Sequence, residues 1–455
     1  MSRLPAAIFK AYDVRGPVSL LTPEVAYWVG RAIGAQARRR QIQRIALAGD
    51  GRLSTPDLLA AMQQGLQEAG VAVQCLGMAC TPLLYFAART VADASGIMIT
   101  GSHNPPEYNG IKIMLGNDTV DGPALQALRE QVEADDLPIA SGGSSHAVDV
   151  LPAYLQALQA QIQLAKPLKL VIDCGNGAPG AVAANVFRSL GCEVSELYCE
   201  VDGHFPHHHP DPQVVANLRD LRTQVQQQGA DVGLAFDGDG DRLGVVTASG
   251  QVIPGDRLLM LFAGQALAQR AGHVLFDVKS SRAVAKWVAQ LGGTAEAIPT
   301  GHSHMKRKLK QSKALVAGEL SGHFAFAGWD VDDALFAGAK LLQLVAAGLD
   351  LDAELACLPQ CLATHELQIP LSGAGHLLVQ DIAQRAAFPS ASYISQVDGL
   401  RVEYADGFGL IRASNTTPVL TLRIEADDAA ALKRIEHELA AAIAPLPFPS
   451  YSLES

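Results

Sequence analysis

One pattern recurs along the chain and restricts its architecture: a short apolar run, a polar loop, then a helix. Residues 45–48 lead through the loop 50–54 to a helix opened by Thr55-Pro56-Asp57. Leu58, Leu59, Met62 and Leu66 mark the inward face of that helix, Gly70 is its stop, and a strand follows at 71–76. An earlier helix opens at Thr22-Pro23-Glu24, with Val25, Trp28, Val29, Ala32 and Ile33 on one face. The pattern returns at 168–172, before Asp173-Cys-Gly-Asn-Gly177 and a helix from about residue 180. It returns at 232–236 before Asp237-Gly-Asp-Gly-Asp-Arg242, and at 274–277 before Lys279-Ser-Ser281 and a helix around Trp287. Apolar strands that alternate with amphipathic helices must be covered by those helices, which places the chain in the α/β class.

Composition sets the domain borders. Residues 140–146 (Ala-Ser-Gly-Gly-Ser-Ser-His) read as a linker, and Ser249-Gly250 is a turn before a new helix at Gly255-Asp256. After Pro359 the style changes to alternating stretches such as 420–424, then one helix at 427–443 and a proline-containing tail at 445–455. A length of 455 residues accommodates three domains at about 150 residues each, or four smaller ones. We expect 1–147, 148–252 and 253–363 as three α/β domains and 364–455 as a smaller α+β domain.

With 35 Lys plus Arg against 46 Asp plus Glu, the net charge is −11. Such a surface repels phosphate backbones, which excludes a general nucleic-acid or anionic-membrane binder but leaves room for a local cationic pocket. The seven Cys are scattered and read as buried reduced thiols. Residues 1–15 lack an apolar signal segment, and no uncharged run approaches the 18 or so residues that span a bilayer. A cytoplasmic monomer acting on small molecules is the expectation.

Four loops carry chemistry. Thr100-Gly-Ser-His-Asn-Pro-Pro106 presents Ser102 on a tight turn at a strand end, beside His103, without the Gly-x-Ser-x-Gly elbow of a hydrolase. Asp237, Asp239 and Asp241 alternate with glycines and can converge on one hard cation. The loop is no EF-hand, since Arg242 stands where that motif needs glycine and Ala248 where it needs glutamate. In Gly318-Glu-Leu-Ser-Gly-His323, Glu319 and Ser321 can bind vicinal hydroxyls, and His323 can move a proton or bind phosphate. Arg412-Ala-Ser-Asn-Thr-Thr-Pro418 offers an arginine fork, hydroxyls and loop amides to an anion. Prolines at 206, 210 and 212 make the His207-His-His209 run a rigid loop rather than a metal site.

Together these loops, with Ala11-Tyr-Asp-Val-Arg-Gly16 and Tyr108-Asn-Gly-Ile-Lys112, resemble the α-D-phosphohexomutase family and its bacterial phosphomannomutase/phosphoglucomutase branch. The resemblance implies four domains around a central cleft, three with mixed sheets between helices and a last one that is TATA-binding-protein-like. It implies interconversion of 1-phospho and 6-phospho forms of mannose or glucose through a phosphoserine and a hexose 1,6-bisphosphate. Ser102 would carry the phosphoryl group, and Asp237, Asp239 and Asp241 would hold Mg²⁺ with it. Glu319 and Ser321 would bind sugar hydroxyls. Arg412, Ser414, Asn415 and Thr416 would hold the other phosphate. His103, Lys112 and His323 would be acid/base or phosphate-stabilising groups, with Arg242 among the catalytic residues. Tyr12, Arg15, Lys279 and His302 would also line the cleft. Leu320 stands where dual-specificity relatives usually have Met, and 324–333 lacks their Lys-Glu-Arg-Trp pattern. Two rival activities fit single loops: an aspartyl-phosphate phosphotransferase using Asp237, and a non-catalytic sugar-phosphate sensor.

Overall fold

A computed structural model describes residues 3–414, 418–451 and 453. The chain divides into two compact units, Met1–Gly255 with Ser321–Leu355, and Asp256–Leu320 with Ala356–Ser455.

In the first unit, strands Arg44–Gly49, Ala72–Met78 and Gly96–Ile99 run parallel, with Arg44–Gly49 in the middle. Tyr108–Leu115 returns antiparallel on Gly96–Ile99 and carries Val14–Pro17 on its other edge. Helices Pro23–Arg39, Thr55–Glu68 and Gly122–Glu133 close one face, where Val29, Ile33, Met62, Leu66, Leu125 and Leu128 share a core with Ile45, Leu47, Ile97 and Ile99. Thr22 caps the first of these helices, its hydroxyl accepting from Val25 N at 3.3 Å, as the Thr-Pro-Glu run implies. Helix Thr81–Val91 packs on the strands Arg44–Gly49 and Gly96–Ile99.

The second sheet of this unit orders as Val252–Ile253, Leu243–Thr247, Val232–Phe236, Lys169–Asp173 and Glu193–Leu197. Its last three strands are parallel, and Val232–Phe236 pairs antiparallel with Leu243–Thr247. Helix Ala334–Ala346 belongs to the same unit, capped by Asp333, which accepts from Phe336 N at 2.8 Å.

In the second unit, His273–Asp277 lies between Thr294–Ile298 and Val316–Gly318, all parallel. The C-terminal sheet is antiparallel: Tyr393–Ser395, Leu400–Tyr404, Gly407–Ala413 and Val419–Ala426 in order, with Leu367–Pro370 also on Val419–Ala426. Helices Gly375–Arg385 and Ala429–Ile443 cover it through Val379, Ile382, Leu432, Ile435 and Leu439.

Three expectations are corrected. The stretch read as a linker contains a strand, Ser144–Ala147, that pairs parallel with Ala72–Met78, because polar side chains are tolerated on an exposed sheet edge. The residues read as a tail are anchored: Leu446, Phe448 and Tyr451 pack on the C-terminal core, and Leu453 bridges to Thr364. The helix expected from about residue 180 begins as a 3₁₀ turn, Ala178–Ala181, and becomes α-helical only over Ala183–Ser189.

Candidate active site

Ser102 is the third residue after the buried strand Gly96–Ile99 and has φ of 50°, a left-handed conformation rare for a residue with a Cβ. Only a surrounding that over-determines the backbone keeps such a turn in place. Ser102 N donates to Thr100 Oγ1 at 2.8 Å. Arg52, 1 % exposed, spreads its guanidinium under the loop and donates to the carbonyls of Ser102 (2.8 Å), Asn104 (2.6 Å), Pro105 (2.5 Å) and Tyr108 (3.0 Å). Asp50 holds that guanidinium at 3.1 Å and accepts Gly101 N at 3.0 Å. Arg15 adds bonds to Asn104 Oδ1 (2.7 Å) and Gly101 O (3.3 Å) and pairs with Asp13 at 2.6 Å. The Ser102 hydroxyl is thereby aimed at Asp237, donating to its Oδ2 at 2.6 Å, with His103 Nδ1 at 3.3 Å. Burial, then Arg242 and Arg15, push the His103 imidazole well below its ordinary value. Tyr12 is half-buried just before the strand Val14–Pro17.

Asp237 leaves the strand Val232–Phe236, and its Oδ1 accepts three backbone amides, from Gly240 (3.0 Å), Asp241 (3.1 Å) and Arg242 (3.1 Å). The turn uses Gly240 at φ of 80°. Oxygens of Asp237, Asp239 and Asp241, all buried, lie within 4.8 Å of one another. Lys112, from strand Tyr108–Leu115, reaches Asp239 Oδ2 at 2.7 Å and Asp241 Oδ2 at 2.5 Å, and Thr81 Oγ1 donates to Asp239 Oδ2 at 2.6 Å.

These neighbours decide the charges. Burial, then Asp239 and Asp241, drive Asp237 well above the usual carboxylate range. Burial and Asp241 act the same way on Asp239, but Lys112 and the Thr81 hydroxyl outweigh them and hold it low. Burial opposes the charge on Lys112, yet Asp239 and Asp241 raise its affinity for the proton well above the ordinary value. Like charges about 4 Å apart repel by about 4 kcal/mol at an effective dielectric of about 20, so three carboxyl groups this close need more positive charge than one ammonium to be ionised together. Among the described residues nothing hydrogen-bonds to the buried Asp239 Oδ1. An all-oxygen donor set with such an atom fits a hard divalent cation.

His323 Nε2 lies 3.2 Å from Asp241 Oδ1, its Nδ1 is 3.0 Å from Ser321 Oγ, and its backbone bridges to Arg242. Asp332 joins Asp241 and His323 in a second buried group with metal-ligand spacing. Of the residues singled out in the sequence, Ser102, His103, Lys112, Asp237, Asp239, Asp241, Arg242, Arg15, Ser321 and His323 thus belong to the first unit.

Lys279, His302, Glu319, Arg412 and Ser414 belong to the second. Lys279 pairs with Glu366 at 3.2 Å, and His302 opens the helix His302–Ser312 with its Nδ1 3.0 Å from Lys306 Nζ. Glu319 Oε1 accepts Gly301 N at 2.7 Å. Arg412, buried on strand Gly407–Ala413, pairs with Asp398 through Nε (3.2 Å) and Nη2 (3.0 Å). Ser414 N donates to Val419 O at 2.9 Å. Asn415 and Thr416 lie outside the described residues.

Sequence reasoning missed Arg52, Asp50 and Thr81. Asp50-Gly-Arg52 follows an apolar strand as the other polar loops do, and that shared position was the available signal. The histidine run takes no part in the groups with metal-ligand spacing among the described residues. His208 pairs with Asp173 at 3.0 Å, and His207 bonds Asn176 at 2.8 Å and stacks on Tyr198 at 3.9 Å.

Comparison with known proteins decides the family. Four domains of phosphoglucomutase/phosphomannomutase match in order: alpha/beta/alpha domain I over residues 6–138, domain II over 152–250, domain III over 254–361 and the C-terminal domain over 366–442. The chain belongs to the phosphoglucomutase/phosphomannomutase family. A phosphoglucomutase of Neisseria gonorrhoeae is 49% identical over 450 residues, covering 97% of this chain and 98% of the relative. A phosphomannomutase/phosphoglucomutase of Pseudomonas aeruginosa is 46% identical over 456 residues, covering 98% of each. Among solved structures, a phosphoglucomutase/phosphomannomutase family protein of Burkholderia thailandensis superposes with a TM-score of 0.92 at 42% identity, covering 98% of this chain and 100% of the other. The chain is therefore a four-domain enzyme of the phosphoglucomutase/phosphomannomutase family. Among the described residues no single helix is long and apolar enough to cross a membrane.

Proposed function

We propose that the chain interconverts the 1-phospho and 6-phospho forms of glucose and mannose, with Ser102 as the group that gives and takes the phosphoryl. The observation that carries this is the Ser102 hydroxyl held in a left-handed turn 2.6 Å from the tri-aspartate loop. The relatives named as phosphoglucomutase and phosphomannomutase support both sugars.

Phosphoryl transfer asks a protein for positioning and charge neutralisation. Arg52 and Arg15 fix the loop so that the serine oxygen meets an incoming phosphate in line. Asp237, Asp239 and Asp241 would hold Mg²⁺, which when bound supplies positive charge for the transferring oxygens. Lys112 stays an ammonium beside the reacting oxygens, and His323 and His103 are the nearby imidazoles able to carry the sugar hydroxyl's proton. Glu319 and Ser321 take sugar hydroxyls, with Lys279, His302 and Tyr12 as further substrate contacts. Arg412 and Ser414, with Asn415 and Thr416, take the phosphate that does not react. The bisphosphate intermediate turns over between half-reactions, so each phosphate occupies each position once. Free hexose 1,6-bisphosphate would restore a dephosphorylated serine. We place the domain borders at 147/148, 252/253 and 363/364, each between two matched family domains. The chain works as a cytoplasmic monomer in this reading.

The test is kinetic and chemical. Comparable kcat/KM on glucose 1-phosphate and mannose 1-phosphate, well above that on glucosamine 1-phosphate, is expected. Intact mass should show one phosphate on the Ser102 peptide, stable to hydroxylamine, and Ser102→Ala should lose at least about a thousandfold in kcat. A hydroxylamine-labile adduct on Asp237, or near-normal turnover by Ser102→Ala, would overturn the assignment.

A further inference from the structure

We propose that Asp398 is a positioning residue for Arg412, and that through Thr300 and Asp277 it ties the phosphate grip to the loops that hold the sugar. The inference rests on the reading of Arg412 as a phosphate ligand.

The connection is continuous in hydrogen bonds. Asp398 Oδ2 accepts Arg412 Nε at 3.2 Å and Nη2 at 3.0 Å, which fixes the plane of the guanidinium, and it also accepts Thr300 N at 3.1 Å. The Thr300 hydroxyl donates onward to Asp277 Oδ2 at 3.0 Å. Asp277, fully buried at the end of strand His273–Asp277, receives on its other oxygen the Ser280 hydroxyl at 2.6 Å and Leu320 N at 3.1 Å. Glu319 clamps the next amide, Gly301 N, at 2.7 Å. The turn carrying Lys279 is held from the same side: Arg401 donates to the carbonyls of Val278 (2.6 Å) and Ser280 (2.7 Å), and Arg423 to that of Lys279 (2.9 Å). One run of bonds therefore links Arg412, the 278–280 turn and the 319–320 backbone.

The backbone is shaped for this. Gly399 has φ of 79°, and a Cβ there would fall 2.5 Å from Ile411 O and 2.6 Å from Arg412 Cβ. Only glycine lets the chain lie this close to the Arg412 strand, and that approach places the Asp398 carboxylate beside the guanidinium.

Two effects of Asp398 oppose each other. Its charge competes with phosphate for Arg412, so on charge alone its removal would tighten substrate binding. Its two bonds orient a side chain that otherwise loses rotamer freedom only when phosphate arrives, so on orientation its removal would weaken binding. The double contact on a buried arginine, shared with Thr300, favours orientation.

Steady-state kinetics on the full chain with glucose 1-phosphate, Mg²⁺ and glucose 1,6-bisphosphate separates them. Asp398→Ala should raise KM about tenfold with kcat within about twofold, and the isosteric Asp398→Asn, which keeps an acceptor, should recover most of the loss. Thr300→Val should raise KM about threefold, and the double variant should be little worse than Asp398→Ala alone, since both break one connection. Arg412→Ala serves as the reference. If it raises KM while Asp398→Ala lowers or leaves KM, or while the Thr300 and Asp398 effects simply multiply, the positioning role is overturned and the phosphate grip stands. If Arg412→Ala leaves KM unchanged, the reading of Arg412 itself fails. Should Asp398→Ala not fold, Thr300→Val decides: a KM raised about threefold supports the proposal and an unchanged one overturns it.

Discussion

Arg52 lies beneath Ser102 and donates to its backbone carbonyl at 2.8 Å, one of four carbonyls gathered by a single guanidinium. Lysine carries the charge but not the planar fork, so it cannot serve all four. A displacement of about 1 Å at a reacting centre can cost about a hundredfold in rate. Arg52→Lys is expected to lower kcat roughly 30- to 100-fold with KM changed less than about threefold. Kinetics normalised to the fraction carrying phosphate on Ser102 check this, and a normal kcat would leave Arg52 a purely structural group.

Asp239 offers a second prediction. Asparagine in its place removes one anionic oxygen from the tri-aspartate set and unbalances Lys112, which bonds it at 2.7 Å. Activity of Asp239→Asn should fall at least about a hundredfold and partly return at high Mg²⁺. Wild-type turnover should stop in EDTA and resume on adding Mg²⁺; full activity after EDTA dialysis would remove the cation site.

A pH effect on stability follows from His208. Burial pulls its imidazole down, but the bond to Asp173 more than offsets this and raises it above the usual value. A folded-state value above the unfolded one means the contribution is complete below about pH 6.5 and fades as pH rises through the raised value. The difference in melting temperature between wild type and His208→Asn should be largest below pH 6.5 and shrink on the alkaline side. A difference that is flat with pH would show that the pair carries no proton linkage.

Asp333 concentrates three donors on one buried carboxylate: Phe336 N at 2.8 Å, Trp329 Nε1 at 2.8 Å and the Tyr154 hydroxyl at 2.9 Å. Burial pushes this carboxyl up to about 6, against those three bonds. Asp333→Ala deletes the cap of helix Ala334–Ala346 and strands the tyrosine and tryptophan donors. A loss of about 3 kcal/mol is expected. Thermal unfolding should show it as a drop of several degrees while kcat per folded molecule holds, and an unchanged melting temperature would contradict it.

The parts of the site legible in the sequence share one property: their chemistry is local. Asp237, Asp239 and Asp241 alternate with glycines directly after an apolar strand, so their convergence follows from the turn itself. Thr22, likewise, caps its helix through a bond only three residues long. The role of Arg52 was illegible because the four carbonyls it gathers lie 50 to 56 residues away and come within reach only once the strands Arg44–Gly49 and Gly96–Ile99 are paired. Lys112 stood out in its motif, but its grip on two aspartates spans 127 and 129 residues and no periodicity predicts it. The edge strand Ser144–Ala147 was hidden by polar composition, since an outer strand needs backbone pairing more than apolar side chains.

The chain threads between its two compact units at Gly255, Leu320 and Leu355, and the first unit takes its last segment, Ser321–Leu355, from late in the sequence. That segment supplies His323 beside Asp241 and the helix Ala334–Ala346. During synthesis from the N-terminus the first 255 residues therefore emerge with the core under helices Pro23–Arg39, Thr55–Glu68 and Gly122–Glu133 already complete, but with the second sheet still lacking helix Ala334–Ala346. Closure of the first unit waits until a further stretch of polypeptide has been made and the chain has doubled back. A ribosome-bound chain stopped before residue 321 should expose the apolar surface that this helix later covers, and the middle of translation is the interval in which that surface is open to a chaperone.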